Sequence, residues 1–159
     1  MSVVSVRAVA PQHAHLLGRK GAARIALIPD EVLQALNSGA IPTANLNEFL
    51  AIDLTHLAPA VAQSIGLDAR HERLQDTLAM LASFKPMKRH GLIAHALHDM
   101  TFESADPDAV AQALVTHPSD VARCWASDWV RWSGWPLARQ LQAQRRLAAD
   151  PHFGVREMA

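Results

Sequence analysis

Residues 117–126 read HPSDVARCWA and residues 150–159 read DPHFGVREMA. Laid side by side, they align Pro118 with Pro151, Arg123 with Arg156 and Ala126 with Ala159, an offset of 33 residues. In each segment a polar residue followed by proline opens a helix, because a first-turn proline gives up an N–H that would be unpaired anyway. A fainter echo places Pro86 and Ala94 almost the same distance upstream, without the Arg. A period of this length predicts stacked helix pairs, in which no pair buries its apolar face alone and each depends on its neighbours.

Outward from this core the same punctuation recurs. Pro136, after Trp135, opens another helix, and Asp106 with Pro107 caps one reaching Val115. Helices are expected from about residue 87 to 98 and from about 68 to 83, the second burying Leu74, Leu78 and Leu81. From Leu46, the positions Phe49, Leu50, Leu54, Leu57 and Val61 recur at spacings of three and four, which predicts one helix bent or split at Pro59, with Thr43 offering the N-cap. Pro29, Asp30 and Glu31 start a further helix that Asn37, Ser38 and Gly39 close. Residues 1–27 read as an N-terminal extension or first helix, and 28–159 as the helical repeat domain.

Composition agrees with an all-α fold. The 159 residues are 50% hydrophobic and 19% charged, enough to bury a continuous core, while 5% aromatics, 7 Gly and no Tyr favour helices over sheets. A single cysteine, Cys124, excludes a disulfide framework within the chain and suits a reducing cytoplasm. No uninterrupted apolar run approaches the ~18 residues of a membrane span, and the Arg-containing, acid-free opening is only a weak mimic of a transit peptide. A soluble, cytoplasmic protein without membrane contact is expected. Lys plus Arg number 15 and Asp plus Glu 15, so net charge supplies no general pull toward nucleic acid. Acids dominate from Asp30 to Asp76, whereas Arg123, Arg131, Arg139, Arg145, Arg146 and Arg156 crowd the last third, leaving room for a local basic face.

Ankyrin and tetratricopeptide repeats have similar periods, but their signatures are missing; the Asp-Pro, Val-Arg, Ala order of DPHFGVREMA is typical of HEAT repeats. The segment DEVLQALNSGAIPTANLNEFLAIDLTHLAPAVAQSIG (residues 30–66), together with LAADPHFGVREMA (residues 147–159) and the intervening HPSDVARCWA, resembles the HEAT-repeat DNA alkylation repair proteins, the AlkC/AlkD-like 3-methyladenine DNA glycosylase superfamily. The match covers roughly half the chain as a loose pattern. The resemblance implies a right-handed α-superhelix of stacked antiparallel helix pairs. It also implies excision of cationic N-alkylated purines from duplex DNA without a cofactor, and repeats continuing beyond Ala159. An end left uncapped there would expose Val155 and Met158 and favour a homodimer through that surface.

Such excision starts from a base that is already a good leaving group, so the protein has mainly to stabilise developing charge. A carboxylate near the deoxyribose, aromatic faces for a cation or sugar, and basic side chains for phosphates would serve. CWASDWVRWSGW supplies a matching set: Trp125, Asp128, Trp129 and Trp132 follow spacings of three and four and share one helical face, with Trp135 after Gly134 in the connection. Asp128 is the candidate carboxylate, the three tryptophans the aromatic contacts, and Lys85, Lys88, Arg89, Arg123, Arg131 and Arg156 the candidate phosphate contacts. Against this stands a plainer expectation, that a Trp stripe is core, that Arg123 and Arg156 bridge neighbouring helices or loops, and that Lys85, Lys88 and Arg89 are a solvated face. Among the nine His, His95 and His98 with His90 and Asp99 nearby invite a metal, but HxxHD lacks a fourth ligand and any HExxH arrangement, so no metal site is expected. The competing class is a non-catalytic HEAT-like scaffold that binds protein or nucleic acid over its curved surface.

Overall fold

Prolines and short polar caps cut the chain into helices, and a computed structural model describes residues 5–159. Among the described residues all regular structure is helical: α1 (Asp30–Asn37), α2 (Leu46–Ala51), α3 (Leu54–Ser64), α4 (Glu72–Met80), α5 (Pro86–Ser104), α6 (Pro107–Val115), α7 (Asp120–Trp132), α8 (Leu137–Ala148) and α9 (Phe153–Met158), with short 3-10 turns at Pro11–Leu16, Ile25–Leu27 and Leu81–Ser83. The Asp106 carboxylate accepts the Asp108 N–H at 3.0 Å, so α6 begins where the Asp-Pro pair places it. At the end of α1, Gly39 takes φ +74, and a Cβ there would lie 3.2 Å from the His117 ring and 3.3 Å from Leu57. Both backbone and packing demand glycine at that stop.

Two expected boundaries move. Asn45, not Thr43, caps α2: its Oδ1 accepts the Glu48 N–H at 3.1 Å while the Glu48 carboxylate reaches back to the Ala44 N–H at 2.7 Å, a reciprocal pair of bonds that Thr43 cannot make from two residues earlier. The helix expected to split at Pro59 breaks instead at Asp53, whose carboxylate takes the Thr55 N–H at 2.9 Å and hydroxyl at 2.6 Å and starts α3 afresh, so that Pro59 is carried inside it. The break turns Leu46 and Leu50 outward, leaving them 63% and 50% exposed. Conversely, α5 runs past the expected stop near residue 98, because Met100 and Thr101 continue the buried stripe of Ile93, Ala94 and Leu97.

Helix α7 is the centre of the C-terminal half. It packs against α5, α6, α8 and α9, and every residue from Val121 to Ser127 is buried. Trp125 meets His90 while Trp132 meets His95, so contacts ascend along both helices together and α5 and α7 run in the same direction. The offset of 33 has a direct counterpart in bonding. Arg123 donates through Nη1 to the carbonyls of His117 and Pro118 at 2.6 and 3.0 Å, and Arg156 does the same to those of Asp150 and Pro151 at 2.7 and 3.0 Å. Each arginine thereby holds the loop that launches its own helix. Arg123 also reaches the next loop, donating from Nε and Nη2 to the two carboxylate oxygens of Asp150 at 2.8 and 3.1 Å.

More distant parts of the chain are tied by buried polar groups. The Asp120 carboxylate accepts the Thr43 N–H at 2.8 Å and its hydroxyl at 2.7 Å, and His152 Nε2 donates to the Thr43 carbonyl at 2.9 Å. Arg19 grips Glu48 through both oxygens, at 3.0 and 2.6 Å, joining the N-terminal stretch to α2. Among the described residues no buried side-chain nitrogen or oxygen is left without a partner. At Val155 and Met158, where an exposed apolar surface was expected, α9 folds back onto α7 and α8, burying Val155 to 1% exposure and Met158 in part. No helix among the described residues is long and apolar enough to cross a membrane.

Candidate functional site

The tryptophan stripe of α7 climbs from core to surface. Trp125 is 1% exposed and donates its indole N–H to His90 Nδ1 at 3.0 Å, with Phe49 stacked on the far face of that imidazole at 5.0 Å. Trp129 is 0% exposed, donates to the Thr101 hydroxyl at 3.3 Å, and is enclosed by His98, Phe102 and Trp135. Both indole N–H groups are bonded in the interior and both rings are buried, the packing position that a tryptophan stripe on a helix was equally expected to take. Trp132, one turn on, stands 38% exposed. Its ring meets His95 edge-on at 5.0 Å.

Asp128 lies at the rim of this surface. Its side chain is 19% exposed and pairs with Arg131 Nη2 at 3.3 Å, so the carboxylate is neither fully buried nor unpaired. The other carboxylate oxygen lies 3.8 Å from where a Cβ on Gly91 would be. A mid-helix glycine on α5 thus leaves open the space beside Asp128, a feature that sequence reading passed over because Gly91 carries no chemistry of its own. Arg131 is 64% exposed and remains available to a phosphate.

The other basic candidates separate. Arg123 is 2% exposed, with all three guanidinium nitrogens bonded to Asp150, His117 and Pro118 in the core, the bridging position weighed against a phosphate contact. Arg156 is exposed but anchored to its own loop carbonyls. At the entry to α5, Lys85 and Lys88 are exposed, Lys88 Nζ lying 4.9 Å from the Phe84 ring, and Arg89 donates through Nε to the Phe84 carbonyl at 2.7 Å. On the opposite flank of α7, between α6 and α8, lies a cavity of about 200 Å³ floored by Val130, where Arg139 stacks on Trp135 at 3.6 Å.

The chain matches no family model, no curated protein and no solved structure. What it does therefore rests on the geometry just described.

Three groups that sequence reading set aside come together next to Trp132. His95, His98 and Asp99 each bring one potential ligand atom within 4.8 Å of the others. His90, expected near them, is instead buried against Trp125, and burial with the nearby Arg89 charge lowers its pKa to about 4. Cys124 is buried in α7: burial first, and the Asp120 carboxylate second, push its thiol up to about 12. We expect no reaction of the folded protein with iodoacetamide at pH 8 and full labelling in denaturant; rapid labelling without denaturant would contradict the burial of α7.

Proposed function

We propose that this chain is a DNA alkylation repair protein of the helical-repeat type, acting on cationic N-alkylated purines in duplex DNA. In this reading its helix pairs form a right-handed superhelix of HEAT-like repeats. Support for the architecture comes from the parallel course of α5 and α7, the intervening α6, and the shared loop-clamping bonds of Arg123 and Arg156. The observation that carries the function is the surface set Asp128, Arg131 and Trp132: a partly shielded carboxylate next to an exposed indole and an exposed guanidinium.

The chemistry follows from charge. As a cationic base leaves, the deoxyribose acquires positive character, and two unit charges 4 Å apart attract by about 4 kcal/mol at the effective dielectric of a protein surface. Asp128 supplies the negative partner, Trp132 an aromatic face for the sugar or cation, and Arg131 releases Asp128 to hold a phosphate. Lys85 and Lys88 extend the phosphate track. With Cys124 unpaired and no membrane-crossing helix among the described residues, the cytoplasm is the compartment this reading places it in.

Release of 3-methyladenine or 7-methylguanine from alkylated duplex DNA tests the proposal. We expect measurable release by the wild-type chain and a fall of about 100-fold in Asp128→Asn, the scale of losing one electrostatic contact to a transition state. Equal release by both proteins would remove Asp128 from the chemistry. A second reading, a non-catalytic scaffold, is favoured by the burial of Trp125, Trp129 and Arg123, which leaves only a small polar-aromatic patch outside. Binding to duplex DNA at low salt without base release by either protein would decide for it.

A further inference from the structure

On the outer face of α5, Asp99 Oδ1 lies 3.0 Å from His98 Nδ1 and 3.7 Å from His95 Nε2. We propose that His95, His98 and Asp99 form a binding site for a divalent transition-metal ion of the Zn²⁺ class, with three protein ligands and one position open to solvent. Tetrahedral zinc with bonds of about 2.0–2.1 Å has neighbouring ligand atoms about 3.3 Å apart. Two of the three separations bracket that edge and all three atoms lie within 4.8 Å of one another, so side-chain rotation is sufficient to converge them on one ion.

The supporting groups around the three ligands are already in place. Arg73 donates to the other oxygen of Asp99 at 3.0 Å and to Glu103 at 2.8 Å, which leaves Oδ1 as the oxygen facing the imidazoles and fixes its direction. His71 Nε2 pairs with the second Glu103 oxygen at 3.1 Å, bracing that arginine from behind. The two imidazoles are held by rings: Trp132 lies edge-on to His95 at 5.0 Å, while Phe102 and Trp129 meet His98 at 4.9 and 5.9 Å. Ligands fixed in this way lose little freedom on binding, and groups that orient them are typically worth 10- to 100-fold in affinity.

The donor set selects the ion. Two imidazole nitrogens and one carboxylate oxygen suit Zn²⁺, whereas Ca²⁺ and Mg²⁺ require mostly oxygen ligands and a thiolate site would need a cysteine that is buried elsewhere. His15 with Glu31 and His56 with Asp53 are single histidine–carboxylate pairs with no third ligand, and His90 and His117 bond to a tryptophan and to serines instead. Among the described residues this is the one group of three within reach of a common ion. His95 is 58% exposed, so the fourth position opens to water.

Calorimetric titration of the chelator-treated chain with ZnCl₂ provides the test. We expect one ion per chain, affinity reduced by at least about tenfold in His95→Ala and in Asp99→Asn, and a smaller reduction in Arg73→Gln. His95 is exposed enough for its alanine variant to fold, and circular dichroism of each variant checks this. Added Cu²⁺ should quench part of the tryptophan fluorescence, and Trp132→Phe should lessen that quenching while still binding Zn²⁺, the remainder coming from Trp129 beside His98. Absence of a one-to-one zinc isotherm, or undiminished affinity in both His95→Ala and Asp99→Asn, overturns the proposal. Base release plays no part in these measurements, so the metal site and the repair reading stand or fall separately.

Discussion

Replacing Asp150 with Ala is expected to destabilise the protein by about 3–5 kcal/mol, the usual consequence of stripping the partner from a buried charge. Arg123 and Asp150 are 2% and 6% exposed and meet through two parallel N–H···O bonds, so the variant would leave a buried guanidinium without its carboxylate partner. Asp150 also accepts the His152 N–H at 2.8 Å, and that loop bond goes with it. The exposed pair Arg139 and Asp108 provides the contrast: Asp108→Ala should cost no more than about 1 kcal/mol. Replacing Arg123 with Met and Asp150 with Leu together should recover part of the loss, but not all, because the carbonyls of His117 and Pro118 then lack their donor. Urea midpoints of the three variants check this; equal midpoints for Asp150→Ala and Asp108→Ala would refute the central role given to the buried pair. Set against a total stability of about 5–15 kcal/mol, the first change alone brings the fold close to its limit.

Acid should act on the same region. His117 accepts the Ser119 N–H at Nδ1 (3.0 Å), leaving Nε2–H to donate to the Ser64 hydroxyl at 2.8 Å. That bonding fits a neutral ring, and burial, with the charges of Arg7 and Arg123, lowers its pKa to about 3. His90 is held near 4 by burial and Arg89, its Nδ1 occupied by the Trp125 indole. In the unfolded chain both rings titrate near about 6.5. Between that value and the lowered ones the unfolded state binds more protons, so stability falls as pH drops from about 6.5 toward 4, by about 2 kcal/mol for each histidine at pH 5. Asp53, lowered chiefly by its bond to the Thr55 hydroxyl, contributes stability that is lost only below the carboxylate range and so outside this window. We expect His90→Gln and His117→Gln to flatten the decline between pH 7 and 5; an unchanged slope in both would show that other groups carry it.

Much of the helical order was legible because caps and breakers act locally. Asp106 with Pro107 and Gly39 did what their chemistry dictates, and the offset between Pro118 and Pro151 marked two loops that bond alike. Thr43 misled because its hydroxyl had a better use: a buried carboxylate 77 residues away. Pro59 misled because one missing ladder bond is a weaker signal than the fresh cap that Asp53 provides. For the site, spacing put Trp125, Asp128, Trp129 and Trp132 on one face, but a face has depth, and only packing reveals that Trp125 and Trp129 lie under it while Trp132 does not. The convergence of His95, His98 and Asp99 was hidden from spacing for a related reason. Adjacent residues on a helix ordinarily diverge, and it is Arg73, from another helix, that turns Asp99 toward its neighbour.

The Thr43–His152 contact bears on how the molecule comes apart. A linear array of helix pairs held only by nearest neighbours peels from its ends, one unit at a time. Here the N-cap of α9 is latched to the loop ahead of α2, 109 residues earlier, so the helix as a whole cannot lift away from α7 unless that latch opens too. The anchorage of α9 thus depends on the loop around Thr43, and disturbance of either partner is felt at both.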